Sequence, residues 1–236
     1  MKKLLMLVVF GFSFMQAMEK DEPTFPSFNQ LPQEIKKEVL TALYNSNLAT
    51  ALNPTQAVER FKASIANLRL VSKEFAQFNP LNIAIVSFMN DAVKRFPGQA
   101  VRIARLLNMP EATEWLQTKL GYVARQTTQA DVDAAVSLII DNKIVSLTRW
   151  LKQGYDPNTL SSNGVPLLFT AIENANLDAI KALVSYGADF NAPIQAYELN
   201  FVGSPLQLVQ VLQRQGFNTT KLQKIAEYLR NQGALN

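Results

Sequence analysis

The chain has 236 residues, 48% of them hydrophobic, which is enough to bury a sizeable core in one domain or two. It contains no Cys and no His, so disulfides, metal sites built on those ligands, thiol nucleophiles and Ser–His–Asp triads are excluded. The net charge is +4, with no Lys/Arg run that interleaves with aromatic residues. The composition therefore argues against nucleic-acid binding.

The N-terminus has the pattern of a signal peptide. Lys2 and Lys3 precede an apolar run from Leu4 to Met15, and Met15-Gln16-Ala17 roughly matches a cleavage site. The run is shorter than the roughly 20 residues that cross a bilayer as a helix. We expect residues 1–17 to be removed and the chain to be exported, to the periplasm, outside the cell or into a host cell. The alternative is an uncleaved membrane-associated anchor.

The rest of the chain is predicted to be all-α. Residues 18–28 contain two helix-breaking prolines and are predicted to be a linker. From there on, apolar residues recur at helical spacing, and no long alternating pattern indicates strands. We divide this part into three segments: 29–80, 81–128 and 129–236.

The segment 29–80 begins a helix at Leu31-Pro32-Gln33-Glu34-Ile35 and later carries Leu68-Arg69-Leu70-Val71-Ser72-Lys73-Glu74-Phe75. Together these stretches resemble an F-box, with a longer separation than that family has. The resemblance implies binding to an adaptor of a eukaryotic ubiquitin ligase. The residues that would form the adaptor-binding face are Leu31, Pro32, Ile35, Leu70 and Val71. The alternative is that the same residues are the core of a helical cap for the segment that follows.

The segment 81–128 is predicted to contain two or three connecting helices, separated at Phe96-Pro97-Gly98 and at Met109-Pro110. It ends near Gly121, which precedes Gly154 by 33 residues. We expect a degenerate capping repeat here.

The segment 129–236 repeats itself. Gly154-Tyr155-Asp156-Pro157-Asn158 returns after 33 residues as Gly187-Ala188-Asp189-Phe190-Asn191, and Gly233-Ala234-Leu235-Asn236 is a third variant. A period of about 33 residues is typical of stacked helix–turn–helix units. Such units bury their apolar faces against one another and usually bind partners. The predicted copies are 129–161, 162–194 and 202–236.

The middle copy resembles an ankyrin repeat without gaps, from Gly164-Val165-Pro166-Leu167-Leu168 to Gly187-Ala188-Asp189-Phe190-Asn191. Phe169 stands where the family has His, and Pro166-Leu167 where it has Thr-Pro. We expect Gly187 to end a helix in a left-handed conformation and Asn191 to hydrogen-bond its local backbone in the following turn. The predicted core residues are Leu168, Ala171, Ile172, Ile180, Leu183 and Val184.

The outer copies are less regular. The first has its predicted helices around Val136, Leu138 and Ile139 and around Leu147, Trp150 and Leu151. The last contains 13 extra residues. Five fall between Asn191 and Ser204, and we expect the other eight, near Gln213 to Thr220, to enlarge the loop between its helices.

The resemblance implies that the hairpin tips between repeats contact a protein partner. The candidate residues are Leu160, Asn163, Gln195, Tyr197, Glu198 and Phe201. Tyr197 and Phe201 have an alternative role, in which they fold back onto the solenoid.

Two functions remain open. The first is a non-catalytic exported effector, similar to F-box–ankyrin effectors of host-associated bacteria, that recruits a ubiquitin-ligase adaptor and binds a target through its repeats. The second is a periplasmic or cell-surface ankyrin-type binding protein with the N-terminal helices as a cap. An enzyme would depend on Ser72-Lys73 or on Asp131, Asp133 and Asp141, and Asp131 and Asp133 fit a helix start better. We expect no catalytic, cofactor or metal site.

Overall fold

A computed structural model describes residues 48–71, 81–196 and 201–235. These residues form ten helices and one two-stranded antiparallel ribbon. The helices are α1 Pro54–Val71, α2 Leu81–Arg95, α3 Ala100–Leu107, α4 Pro110–Leu120, α5 Gln129–Ile140, α6 Ile144–Lys152, α7 Leu167–Glu173, α8 Leu177–Ser185, α9 Pro205–Arg214 and α10 Thr219–Asn231. The strands are β1 Ile194–Ala196 and β2 Phe201–Gly203. The predicted all-α class is confirmed.

Helices α1 to α4 form one unit, which we call the N-terminal helical unit, residues 48–120. Its core is apolar and includes the stacked rings of Phe61 and Phe88, whose centroids are 4.2 Å apart. Trp115 is buried at its edge and donates its indole N–H to the Oδ1 of Asn90 at 3.0 Å. Where two or three connecting helices were predicted after residue 80, the structure has three, α2, α3 and α4.

The helix pairs α5/α6, α7/α8 and α9/α10 form the three repeats. The first helices pack side by side, as do the second helices, which is how a solenoid buries a continuous core. Every core residue predicted for the middle repeat is buried. In the first repeat Ile139, Leu147, Trp150 and Leu151 are buried, while Val136 and Leu138 are partly buried.

Each repeat reverses direction at residues that adopt the left-handed conformation. Asn142, Ala175 and Asn218 have positive φ between the two helices of a pair, and Gly154, Gly187 and Gly233 follow the second helix with φ of +96°, +95° and +96°. The predicted role of Gly187 is confirmed. Gly154, Gly187 and Gly233 are the glycines of the repeated sequence motif, and each follows the last helix of its pair.

The extra residues of the third repeat lengthen helices instead of a loop. Helices α9 and α10 have 10 and 13 residues, against 7 and 9 in α7 and α8. Only residues 215–218 separate α9 from α10. The predicted position of the insertion was right and its predicted conformation was wrong, because the inserted residues continue both helical patterns.

Helices α3 and α4 have the local geometry of a further repeat. Asn108 has positive φ between them, and Gly121 follows α4 with a φ of +64°. However, the repeat helix against which α3 packs is α8, the second helix of the middle repeat. The pair therefore does not continue the stack in front of α5 and α6, as a capping repeat would.

Candidate partner-binding surfaces

The turns that follow the second helices are joined by side chains of the repeated motif. Asp156 and Asp189 each accept a hydrogen bond from the backbone N–H two residues later. Asn158 then reaches the next turn, accepting from the N–H of Asp189 at 2.7 Å and donating to the Gly187 carbonyl at 3.0 Å. Asn191 likewise accepts from the N–H of Leu235 at 2.9 Å, in the turn of the next repeat and not in its local backbone as predicted. The Asn of each motif therefore holds the turn of the following repeat.

The N-terminal helical unit lies against this row of turns. Arg105 of α3 forms an ion pair with Asp156, Nη1 to Oδ1 2.6 Å. Burial alone lowers the pKa of Arg105, but its hydrogen bonds to Asp156 and Tyr122 outweigh that effect, and the net shift is upward. The Arg105 side chain also crosses Gly187, where an added Cβ would lie 2.5 Å from its Cδ.

A second contact is made at the end of α10, whose last carbonyls have no partner within the helix. Asn53 donates its amide to the Asn231 carbonyl at 3.3 Å, and Arg102 donates to the Gln232 carbonyl at 3.1 Å. Arg102 is buried, lies 4.9 Å from the ring centroid of Phe190 and also bonds the Thr55 hydroxyl. Burial lowers its pKa to about 10. The negative end of α10 stabilises the cation in that position.

The third contact is with the turn of the first repeat. The N–H of Arg125 donates to the Gly154 carbonyl at 2.8 Å, and a Cβ on Gly154 would overlap the Val123 carbonyl. The N-terminal helical unit and the segment after it thus contact the turns of all three repeats. Nothing in the sequence indicated this, because each contact joins residues that are tens of positions apart.

The first hairpin tip exposes two of the predicted partner-binding residues. Leu160 is 52% exposed and pairs with Pro166 across the hairpin, and Asn163 is exposed at the turn. The N–H of Ser161 donates to the Val165 carbonyl at 2.8 Å, which closes the loop. An exposed Leu on an ordered turn is available to an apolar partner group.

The second tip is the ribbon of β1 and β2. Gln195 of β1 stands opposite Val202 of β2, and Val202 is 72% exposed. Phe201 is only 9% exposed and belongs to the core of the repeats. It therefore folds back onto the solenoid, which was the alternative to a partner-binding role. Tyr197 and Glu198 lie outside the described residues. Val202 is the tip residue that sequence reasoning missed, because an isolated Val carries no distinguishing pattern.

The proposed adaptor-binding face lies almost wholly outside the described residues. This holds for Leu31, Pro32 and Ile35, and for the signal peptide and linker that precede them. Leu70 and Val71 are the last two residues of α1, and only their backbone is described. The adaptor-binding prediction therefore stays a prediction.

The carboxylates considered for catalysis have structural partners. Asp131 completes a capping box with Thr128 at the start of α5, and the hydroxyl and N–H of Thr128 lower its pKa. Asp133 accepts from Gln129, and Asp141 pairs with Lys143 at 2.8 Å. Ser72-Lys73 lies outside the described residues. The described part of the chain has no group of three or more acidic side chains placed to hold a metal ion, and none of its helices meets the length and hydropathy that a membrane span requires.

Comparison with known proteins supports the repeats. No protein-family model matches the chain, and no solved structure gives a significant match. A putative ankyrin repeat protein of fowlpox virus (strain NVSL) is 35% identical over 60 residues, which are 25% of this chain and 8% of that protein. The chain thus spans a small part of that relative's length. Sequence and structure together show that the chain contains ankyrin-like repeats in a helical solenoid.

Proposed function

We propose that this protein is a non-catalytic binding protein whose ankyrin-like repeats hold a target protein through their hairpin tips. The observation that supports it best is the exposure of Leu160 and Val202 at two hairpins of one solenoid. Exposed apolar side chains at fixed positions let a partner bury them without an ordering cost. The similarity to an ankyrin repeat protein points in the same direction.

The tip surface is tested with the variant Leu160→Ala/Val202→Ala, and the matched control is Val145→Ala, an exposed apolar residue on α6. The native chain, the tip variant and the control are each used as an affinity bait in a eukaryotic lysate, and mass spectrometry identifies the captured proteins. We expect the tip variant to lose at least one protein that the native chain and the control retain, with an unchanged melting temperature. Identical captured sets for all three baits would contradict the role of the tips.

We propose further that the F-box-like segment recruits a eukaryotic ubiquitin-ligase adaptor, which would make the protein an exported effector. The support is the sequence resemblance around Leu31-Pro32 and Leu70-Val71 and its combination with repeats that bind proteins. The test is a pull-down with the purified adaptor, comparing the native chain with Leu31→Ala/Pro32→Ala/Ile35→Ala. No binding by the native chain, where a known F-box binds, would remove this part of the proposal.

Export is the remaining part of the proposal, and it depends on the leader pattern at residues 1–17. The protein recovered from outside the cytoplasm should begin near Met18 by N-terminal sequencing. Recovery of that material with Met1 intact would contradict cleavage.

The second candidate is a binding protein in which the N-terminal helices serve only the repeats. The contacts of Arg102, Arg105 and Asn53 with the turns favour it, since they give those helices a structural role. In this case the triple variant at Leu31, Pro32 and Ile35 lowers the melting temperature, whereas an exposed adaptor-binding face leaves it unchanged.

A further inference from the structure

The third repeat projects beyond the other two at the end opposite the hairpins. Helix α8 starts ten residues before Gly187, whereas α10 starts fourteen residues before Gly233. The four additional residues therefore extend the start of α10, by about 6 Å at 1.5 Å per residue. Because α9 is also longer at its end, both helices project at the side where the inter-helix turns lie.

The projecting end of α10 forms one wall of a cleft of about 350 Å³ over the inter-helix turns of the first two repeats. Lys221 and Lys224 line it from α10, and Asn142 and Asn174 line it from the turns. Ile140 adds an apolar surface and is 57% exposed. Lys221 is one of the four added residues, so this part of the wall has no counterpart in α8.

The charge of the cleft is unbalanced. Lys221 and Lys224 are exposed, and neither has a carboxylate within ion-pair distance in the described part of the chain. Asp178 is the one carboxylate among the described residues that line the cleft, and it is paired with Lys181 at 3.5 Å. Two free ammonium groups beside an exposed Ile suit a ligand that carries carboxylates next to an apolar side chain.

From this geometry we infer that the cleft between the start of α10 and the inter-helix turns binds an acidic peptide segment of a protein partner. The carboxylates of the segment pair with Lys221 and Lys224, and an apolar side chain packs on Ile140. Charge complementarity selects this occupant, because a basic or neutral segment would leave both lysines unpaired. The inference adds a second surface to the proposed binding function and does not require the hairpin tips to bind.

The probe is a short dye-labelled peptide that alternates glutamate pairs with single leucines. The control peptide is the same sequence with every glutamate replaced by lysine. Fluorescence anisotropy with the full chain measures both dissociation constants. We expect the acidic peptide to bind, the basic peptide not to bind, and added salt to weaken the binding. Lys221→Glu/Lys224→Glu should raise the dissociation constant about tenfold, as reversing two exposed charge pairs does.

The control variant is Lys119→Glu/Lys152→Glu, which makes the same charge change at exposed lysines that end α4 and α6. It should bind the acidic peptide like the native chain. The cleft variant is expected to fold, since lysines near a helix start oppose the helix dipole and glutamates there favour it. Ile140→Ser should also weaken binding of the acidic peptide. It should change the stability of the fold little, because the Ile140 side chain is exposed.

Three results would overturn the inference: no binding of the acidic peptide by the native chain, equal binding of the basic peptide, or an equal loss in the cleft and control variants. The tip variant Leu160→Ala/Val202→Ala separates this inference from the proposed function. It should bind the acidic peptide like the native chain even if it no longer captures a target protein. The tip proposal and the cleft inference can therefore be contradicted independently.

Discussion

Among single residues, the glycines of the turns have two different tasks, since Gly154 closes the first repeat and Gly216 lies between α9 and α10. All of them adopt a positive φ, which costs a residue with a Cβ roughly 1–2 kcal/mol. At Gly154 the backbone of Val123 also occupies the space that a Cβ would need, whereas nothing lies within 4 Å of that position at Gly216. The conformational cost and the packing cost can therefore be measured separately.

We predict that Gly216→Ala lowers the free energy of unfolding by about 1 kcal/mol, and that Gly154→Ala lowers it by about 3 kcal/mol or more. The difference arises because Gly216→Ala only places a residue with a Cβ in the left-handed conformation, whereas Gly154→Ala also displaces the backbone of Val123. Urea denaturation measures both. Equal losses would show that the segment around Val123 does not lie against the turn.

Among the elements, two helices begin with the same capping arrangement but differ in one chemical respect. In α5 the Thr128 hydroxyl and the Asp131 carboxylate cap each other's backbone N–H, and in α9 Ser204 and the neutral Gln207 do so. The hydrogen bonds from Thr128 hold the pKa of Asp131 below its usual value. A lowered pKa means that this contribution is complete above the unfolded-state value and is lost as the pH falls through the folded-state value.

Thr128→Ala and Ser204→Ala should each lower the free energy of unfolding by about 1 kcal/mol at neutral pH. As the pH falls below the usual carboxyl range, the cost of Thr128→Ala should shrink, while that of Ser204→Ala stays constant. The measurement is urea denaturation of both variants and the native chain at neutral pH and in acid. A cost that declines equally in both variants would point to global acid unfolding instead of the carboxylate.

In the whole molecule, two separate cores meet at the row of turns. Arg102 and Arg105 join them, and Tyr186 packs against both. The two tryptophans are divided between the cores: Trp115 belongs to the N-terminal helical unit, and Trp150 stacks on Tyr155 in the first repeat. Each half therefore carries its own fluorescent reporter.

We expect single-tryptophan proteins, made with Trp150→Phe or Trp115→Phe, to report the same urea midpoint, because the interface couples the two cores. Adding Arg102→Ala/Arg105→Ala should separate the midpoints, since it removes the bonds to Asp156 and Gln232. Arg149→Ala/Arg214→Ala, at exposed positions on α6 and α9, should not. Different urea midpoints in the two single-tryptophan proteins that retain Arg102 and Arg105 would contradict the coupling.

Local pattern was enough to predict the repeats but not their setting. The glycine period and the apolar spacing predict the helix pairs, because each depends on residues close in sequence. The docking of Arg105 on Asp156 depends on contacts between residues 51 positions apart, and no spacing rule contains it. The insertion in the third repeat was placed correctly but misassigned as loop, since its helical pattern continues that of its neighbours.

For the tips, the sequence predicted which segments project but not which side chains face outward. Leu160 is exposed as expected, whereas Phe201 is buried and its neighbour Val202 is exposed. Adjacent residues of a strand point to opposite faces, so a shift of one position reverses the assignment. Only the register of β1 against β2 decides it.

The side chains of Asn158 and Asn191 bond the closing turn of the next repeat along the chain. Each closing turn thus depends on a side chain that is synthesised before it. During translation each of these asparagines therefore leaves the ribosome before the turn that it holds. Loss of the first repeat would deprive the closing turn of its successor of the two bonds from Asn158, whereas loss of the last would remove neither of them.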